Sequence, residues 1–134
     1  MPKSLKWLLL QAATPIKQTL HKLAEKHGLS TMQLWTLNLV EAGKEVPMNT
    51  ISNSLSCDAS NVTGIIDRLL AMELVERHEY SLDRRIKMIR LTTKGQELKT
   101  QLLEELEMAP IESLNRLNPQ EKEALGALLA KITL

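Results

Sequence analysis

The core of this chain has to be built almost entirely from aliphatic side chains, and this limits the possible folds more than any other feature. The sequence contains 26 leucines and no phenylalanine in 134 residues, and its aromatic side chains are Trp7, Trp35 and Tyr80. Leucine is a strong helix former, whereas strands favour β-branched and aromatic residues. The composition therefore predicts a mainly helical fold and argues against an all-β one.

Length and charge predict one ordinary soluble domain. A chain of this size buries about 68% of its unfolded surface, which is enough for a core without disulfides or a structural metal. No stretch approaches the roughly 18 to 20 apolar residues that span a bilayer. The apolar run after Lys6 stops at Gln11, too early for a signal peptide. We therefore expect a cytoplasmic protein without membrane contact, and the lone Cys57 agrees with a reducing compartment.

The first third of the chain predicts two helices. Apolar residues recur at helical spacing over residues 4–26, interrupted by Pro15 and closed by Gly28. Either one helix kinks at Pro15, or a second helix begins there with Thr14 as its N-cap. Ser30 and Gln33 have the spacing of a capping box, which opens a helix that we expect to end at Gly43. That helix is apolar around much of its girth, so we expect it to be packed between other elements.

The middle of the chain predicts a helix-turn-helix followed by a hairpin. A short helix is expected over residues 48–55, a tight connection at Ser56 and Cys57, and a longer helix from its cap Asp58 to Met72. Residues 74–80 and 86–91 contain alternating and β-branched positions around a polar turn at 81–85. Helices are expected again over residues 93–108 and after Asn118, which would be the N-cap of a last helix with Pro119 at its first position.

Basic residues are concentrated at the hairpin. Residues 77–95 contain six Lys and Arg against two acidic residues, although the whole chain has a formal net charge of only +1. Such a block could be an electrostatic footprint for nucleic acid, or simply a solvated hairpin.

The helix of residues 58–72 carries small hydrogen-bonding residues opposite its apolar side. Its polar side is formed by Ser60, Asn61, Thr63, Gly64, Asp67 and Arg68. Short polar side chains let a helix approach base edges and phosphates, although an ordinary amphipathic helix has the same pattern. The hairpin that follows, with Arg84 and Arg85 at its tip, favours a winged helix. Its recognition helix would lie in the major groove and its wing would reach the minor groove.

Several short motifs occur in order and together resemble the MarR family of transcriptional regulators. These motifs are the run 58–69, Leu74-Val75-Glu76-Arg77, Asp83-Arg84-Arg85 and Leu91-Thr92-Thr93-Lys94-Gly95. The framework also matches at Gly28-Leu29-Ser30 and at residues 117–121. Nearly the whole chain is covered.

The resemblance implies an α+β, mostly α, winged-helix homodimer. Residues of about 30–95 would form the winged-helix DNA-binding region, and residues of about 1–29 and 96–134 would form the dimerisation helices. The protein would be a sequence-specific regulator of transcription, most simply a repressor on a pseudo-palindromic operator of double-stranded DNA. A small-molecule effector would bind between the two regions, where Met32 and Trp35 could line a pocket, although we expect both side chains in the core.

The resemblance also assigns roles to individual residues. Ser60, Asn61 and Thr63 would face the major groove. Arg85, held by Asp83, would enter the minor groove. Arg84 and Lys87 would lie near phosphates. Asp67 and Arg68 would form an internal ionic support.

Three positions depart from the family's pattern. Gly64 stands where many members carry Arg, so we expect one of the family's DNA contacts to be missing. Glu73 replaces a common Gly, and would be strained if it kept a left-handed backbone. Ser56 likewise replaces a frequent Gly.

Other classes of function find little support. The glycines are isolated and no catalytic motif is present, so we expect neither an enzyme nor a cofactor. His21, His27 and His78 are scattered, which predicts no metal site, and Cys57 is expected to be passive. The main rival is a winged-helix module that binds another protein and never DNA. Activation instead of repression also remains open.

Overall fold

The computed structural model describes residues 4–55 and 59–133, without the side chains of Ala59 and Ser60, and its elements confirm an α+β, mostly helical fold. The predicted N-cap Asp58 and the connection at Ser56 and Cys57 lie outside the described residues. The elements are, in order, α1 (Leu5–Lys26), α2 (Thr31–Leu39), β1 (Val46–Pro47), α3 (Met48–Leu55), α4 (Ala59–Ala71), β2 (Val75–Tyr80), β3 (Asp83–Leu91), α5 (Thr93–Met108), a short 3-10 helix (Glu112–Arg116) and α6 (Pro119–Thr133).

The chain forms two compact units. The first, which we call the lobe, runs from Leu20 to Met108 and contains α2 to α5 and the sheet. The second, the terminal unit, combines the described residues up to Thr19 with those from Ala109 onward.

Helix ends follow local capping signals. The Ser30 hydroxyl accepts the Gln33 backbone N–H at 3.1 Å, and the Gln33 side chain accepts the Ser30 N–H at 2.9 Å. Asn118 and Glu121 form the same reciprocal pair at the start of α6, at 2.8 and 2.9 Å. Both predicted caps are confirmed. At Pro15 the second alternative is wrong, because α1 continues through that residue as one helix.

The sheet is antiparallel with the strand order β1-β3-β2. Val75 pairs with Leu91, and the register continues to Glu79 opposite Lys87 before it shifts at Tyr80. The predicted turn of five residues is wrong, since β3 already begins at Asp83 and leaves two residues between the strands. The edge strand β1 was not predicted, and its Pro47 is tolerated there because the edge needs no further ladder bond.

Aliphatic residues from α2, α3, α4 and the sheet fill the core of the lobe. The largest fully buried side chains are Leu37, Ile51, Ile66, Leu69, Leu74 and Ile89. No helix among the described residues has the length and hydropathy needed to cross a bilayer.

Two predictions for α2 are wrong. The helix ends at Leu39 and not near Gly43, because Val40 is buried in an extended conformation and its carbonyl accepts the Lys99 ammonium at 2.7 Å. Met32 and Trp35 do not lie in the core, and 37% and 45% of their surfaces are exposed. The helix buries Leu34 and Leu37 on its other side, so the described residues cover one of its apolar faces and leave Met32 and Trp35 exposed.

Candidate nucleic-acid interface

The second helix of the helix-turn-helix presents a polar face to solvent. α4 buries Val62, Ile66 and Leu69 against the core of the lobe. Its exposed residues on the other side are Asn61, Thr63, Gly64, Asp67 and Arg68. Ser60 belongs to α4, but its side chain lies outside the described part of the structure. The backbone at Gly64 is open, since an added Cβ would meet no atom within 4 Å.

Arg85 stands at the tip of the hairpin in an orientation fixed by Asp83. Oδ1 of Asp83 accepts the Arg85 backbone N–H at 3.0 Å and Nε–H at 3.1 Å, and Oδ2 accepts Nη2–H at 3.1 Å. The Arg85 side chain is nonetheless 91% exposed. The hydrogen bonds from the Arg85 side chain and backbone lower the pKa of Asp83, which keeps the carboxylate ionised. Three guanidinium N–H groups remain available for acceptors outside the chain.

Most other cations of the hairpin have acidic partners. The pairs are Arg77 with Asp67 at 3.4 Å, Lys87 with Glu79 at 3.1 Å and Arg90 with Glu76 at 2.7 Å, and the His78 ring lies 2.8 Å from Glu45. The hydrogen bond that Arg90 donates to Glu76 raises the pKa of Arg90. Within the described ranges, Arg84 is the hairpin arginine that shows no acidic partner. The basic block is therefore less positive as an electrostatic surface than its sequence indicates.

The expected ionic support at Asp67 and Arg68 is corrected in two respects. The carboxylate of Asp67 lies beside Arg77 of β2 and not beside its neighbour Arg68, and both paired side chains are substantially exposed. Arg68 itself is exposed on α4. A carboxylate on an exposed helix face repels a polyanion, and the pairing of Asp67 with Arg77 reduces that repulsion.

Sequence reasoning missed two residues of this surface, Arg77 and Glu45. Both act through pairing between elements, which no local motif records.

Candidate metal ligands do not come together in the described part of the chain, where no group of three or more His, Cys, Asp or Glu side chains could hold an ion. His21 lies 3.1 Å from Glu25, and His27 lies 2.9 Å from Glu105.

A helix-turn-helix that leads directly into a two-stranded wing defines a winged-helix protein. The model described as "MarR family" matches residues 27–86, from the end of α1 into the wing. The HTH-type transcriptional regulator MhqR of Bacillus subtilis (strain 168) is 25% identical, over 98% of this chain and 92% of MhqR. Residues 27–86 therefore match the MarR family, and the similarity to MhqR covers nearly the whole chain.

Solved structures share this fold. A mutant of MarR from E. coli, complexed with operator DNA, has a TM-score of 0.73 and 22% identity, covering 97% of this chain and 94% of that one. Bordetella bronchiseptica BpsR, whose DNA binding is regulated by 6-hydroxynicotinic acid, has a TM-score of 0.75 and 23% identity, covering 98% and 94%.

Proposed function

We propose that this DNA-binding transcriptional regulator is a repressor, which occupies a pseudo-palindromic operator as a homodimer and acts in the cytoplasm. In this proposal Ser60, Asn61 and Thr63 of α4 face base edges in the major groove, and Arg85 enters the adjacent minor groove. Arg84 lies near phosphates, as does Lys87 once it leaves Glu79. The observation that carries the proposal is the position of Arg85 on a wing next to a helix-turn-helix. Its side chain is oriented by Asp83 and is 91% exposed.

The dimer is supported by the apolar surface of the terminal unit. Large hydrophobic side chains are exposed there on both α1 and α6, namely Leu5 at 72%, Trp7 at 55%, Leu10 at 53%, Leu128 at 63% and Ile132 at 66%. Extended apolar surface marks an interaction site, and a second copy of the chain would cover it. Residues of about 30–95 then serve as the DNA-binding region, and about 1–29 and 96–134 as dimerisation helices. Two symmetric readers require half-sites about one helical turn, or a multiple of it, apart.

A small-molecule effector that releases the operator is a further part of the proposal. BpsR, which shares the fold, is regulated in its DNA binding by 6-hydroxynicotinic acid. An effector acts only if it binds the DNA-competent and DNA-free states with different affinity.

The alternative function is a winged-helix module that binds a protein and not DNA. Two observations favour this alternative. Lys87 and Arg90 of the hairpin are paired with acidic residues, and Gly64 offers no side chain on the exposed face of α4.

Selection of bound duplexes from a random DNA library, at low and moderate salt, separates the two functions. The repressor predicts recovery of a pseudo-palindrome and a loss of affinity on the order of 10³ to 10⁵ between 50 and 200 mM salt if 6 to 10 phosphates are contacted. Arg85→Ala should weaken operator binding with little change in thermal stability, whereas Arg116→Ala, an equal charge change in the terminal unit, should not. No recovered sequence from a folded dimer, in the absence of effector, would favour the protein-binding module.

A further inference from the structure

The C-terminal end of α4 is held by the residues that begin α5. Three consecutive backbone carbonyls follow α4, and each accepts a hydrogen bond from across the lobe. Lys94 Nζ donates to the Met72 carbonyl at 3.1 Å, and the Thr92 hydroxyl donates to that of Glu73 at 2.6 Å. The Thr92 backbone N–H donates to the Leu74 carbonyl at 3.1 Å. We call these five residues the α4–α5 clamp.

At the clamp, the segment that follows α4 packs closely against the start of α5. The Thr92 hydroxyl also accepts the Gly95 N–H at 3.0 Å, so one side chain caps α5 and holds the Glu73 carbonyl. A Cβ at Gly95 would overlap the Leu74 carbonyl. The carbonyl end of one helix therefore meets the N–H end of another, an electrostatically favourable arrangement that Lys94 reinforces.

The rest of α5 is attached at points well away from the clamp. Lys99 donates to the Val40 carbonyl beyond α2 at 2.7 Å. Near the far end, Glu105 accepts a hydrogen bond from Lys26 and lies beside His27, both at 2.9 Å. Glu105 is 12 residues beyond Thr93, about 18 Å along a helix at 1.5 Å per residue. A shift imposed on α5 near Glu105 therefore reaches the end of α4 through a rigid element.

We infer that Thr92 and Lys94 are positioning residues for the recognition helix, which fix the orientation of α4 relative to α5 and transmit displacements of α5 to the DNA-contacting surface. The inference rests on the proposed function, because α4 must read DNA for its orientation to matter. Neither side chain touches DNA in this mechanism, and both act through the carbonyls of Met72 and Glu73.

The test compares Thr92→Val, which removes the hydroxyl but keeps the shape, with Thr92→Ser, which keeps the hydroxyl. Thr100→Val is the matched control, since Thr100 lies exposed on α5 away from the clamp. We expect Thr92→Val to lose about tenfold in affinity for the selected operator, within the usual range of coupling between sites. The affinity of Thr92→Val for random duplex should stay unchanged. Thr92→Ser should bind the operator as tightly as the wild-type chain does.

An NMR measurement without DNA provides the second readout. Backbone amide resonances of Asn61 to Gly64, two to three turns from the clamp, should shift in Thr92→Val and stay in place in Thr92→Ser and Thr100→Val. If Thr92→Val does not fold, Lys94→Met and its rescue by Lys94→Arg take its place in both measurements.

Failure of the inference and failure of the proposed function give different results. The inference would be overturned if the folded Thr92→Val variant bound the operator as tightly as the wild-type chain and its α4 resonances did not shift. If the wild-type chain selects no duplex, the proposed function fails, and the α4 resonances alone then decide whether the clamp positions the helix.

Discussion

Glu73 adopts a left-handed backbone conformation, with φ at 60°, two residues after the end of α4. A residue with a Cβ is strained there by roughly 1 to 2 kcal/mol, whereas glycine is not. Glu73→Gly should therefore raise the free energy of unfolding by about 1 kcal/mol, after the loss from greater freedom of the unfolded chain. Urea denaturation followed by circular dichroism measures this change. Glu73→Ala keeps the strain and should bring no comparable gain; an equal gain in both variants would show that the carboxylate and not the backbone is responsible.

Gly95 is required because its surroundings leave no room for a side chain: an added Cβ would meet the Leu74 carbonyl. Gly95→Ala should lower the free energy of unfolding by about 1 to 3 kcal/mol, the usual cost of forcing an extra carbon into a packed site. Gly126→Ala is the control, because Gly126 lies in α6 with no atom within 4 Å of its added Cβ. That variant should be stabilised by roughly 0.5 to 1 kcal/mol. Thermal unfolding of the two variants with the same sign of change would contradict this reading of Gly95.

Single-residue predictions succeeded where the cause is local. The capping boxes at Ser30 and Asn118 depend on residues three apart in the chain, and both form. The strain at Glu73 was expected because the position favours glycine, and φ confirms it. Asp67 was assigned the wrong partner because Arg77 reaches it only after β2 has folded back along α4.

Gly64 lies within the continuous helix α4, and its surroundings leave room for a side chain. Gly64→Ala should raise the free energy of unfolding by up to about 1 kcal/mol, because alanine loses less backbone entropy in a helix. We also expect weaker operator binding, since the added methyl lies on the face proposed to approach base edges. Paired denaturation and fluorescence-anisotropy titrations measure both effects. Greater stability with unchanged operator affinity would mean that Gly64 is not near the DNA.

Element boundaries could be predicted from the sequence only where a local signal sets them. α3, α5 and the start of α6 follow periodicity and caps, and they lie where predicted. α2 stops early because Val40 is buried and its carbonyl is bound by Lys99, which is 59 residues away. β1 has two residues, too few for a pattern, and exists only because β3 pairs with it. Tertiary contacts decided these cases, as they decided that Trp35 lies on the exposed side of α2.

At the scale of the whole molecule, acid stability should depend on Glu105. Hydrogen bonds from His27 and Lys26 lower the pKa of Glu105 from 4.5 to about 2. A pKa lowered in the folded state means that the ionised group stabilises the fold above pH 4.5, and that this contribution is lost as the pH falls toward 2. Glu105→Gln should therefore show a flatter decline in stability over that range than the wild-type chain. Glu104→Gln, at an exposed neighbour, should decline as the wild type does, and parallel profiles for all three would contradict the prediction.

Dimerisation of the terminal unit should control operator binding, because a single recognition helix contacts only one half-site. Leu128 is 63% exposed on α6, so a carboxylate there costs the single chain little but places an unpaired charge in an apolar interface. Leu128→Glu should therefore sediment as a folded monomer at micromolar concentration and lose most of its operator affinity. Gln96→Glu, which adds the same charge to an exposed position of α5, should remain a dimer with little loss of binding. A wild-type chain that sediments as a monomer would contradict the homodimer, whereas a Leu128→Glu dimer with full affinity would exclude Leu128 from its interface.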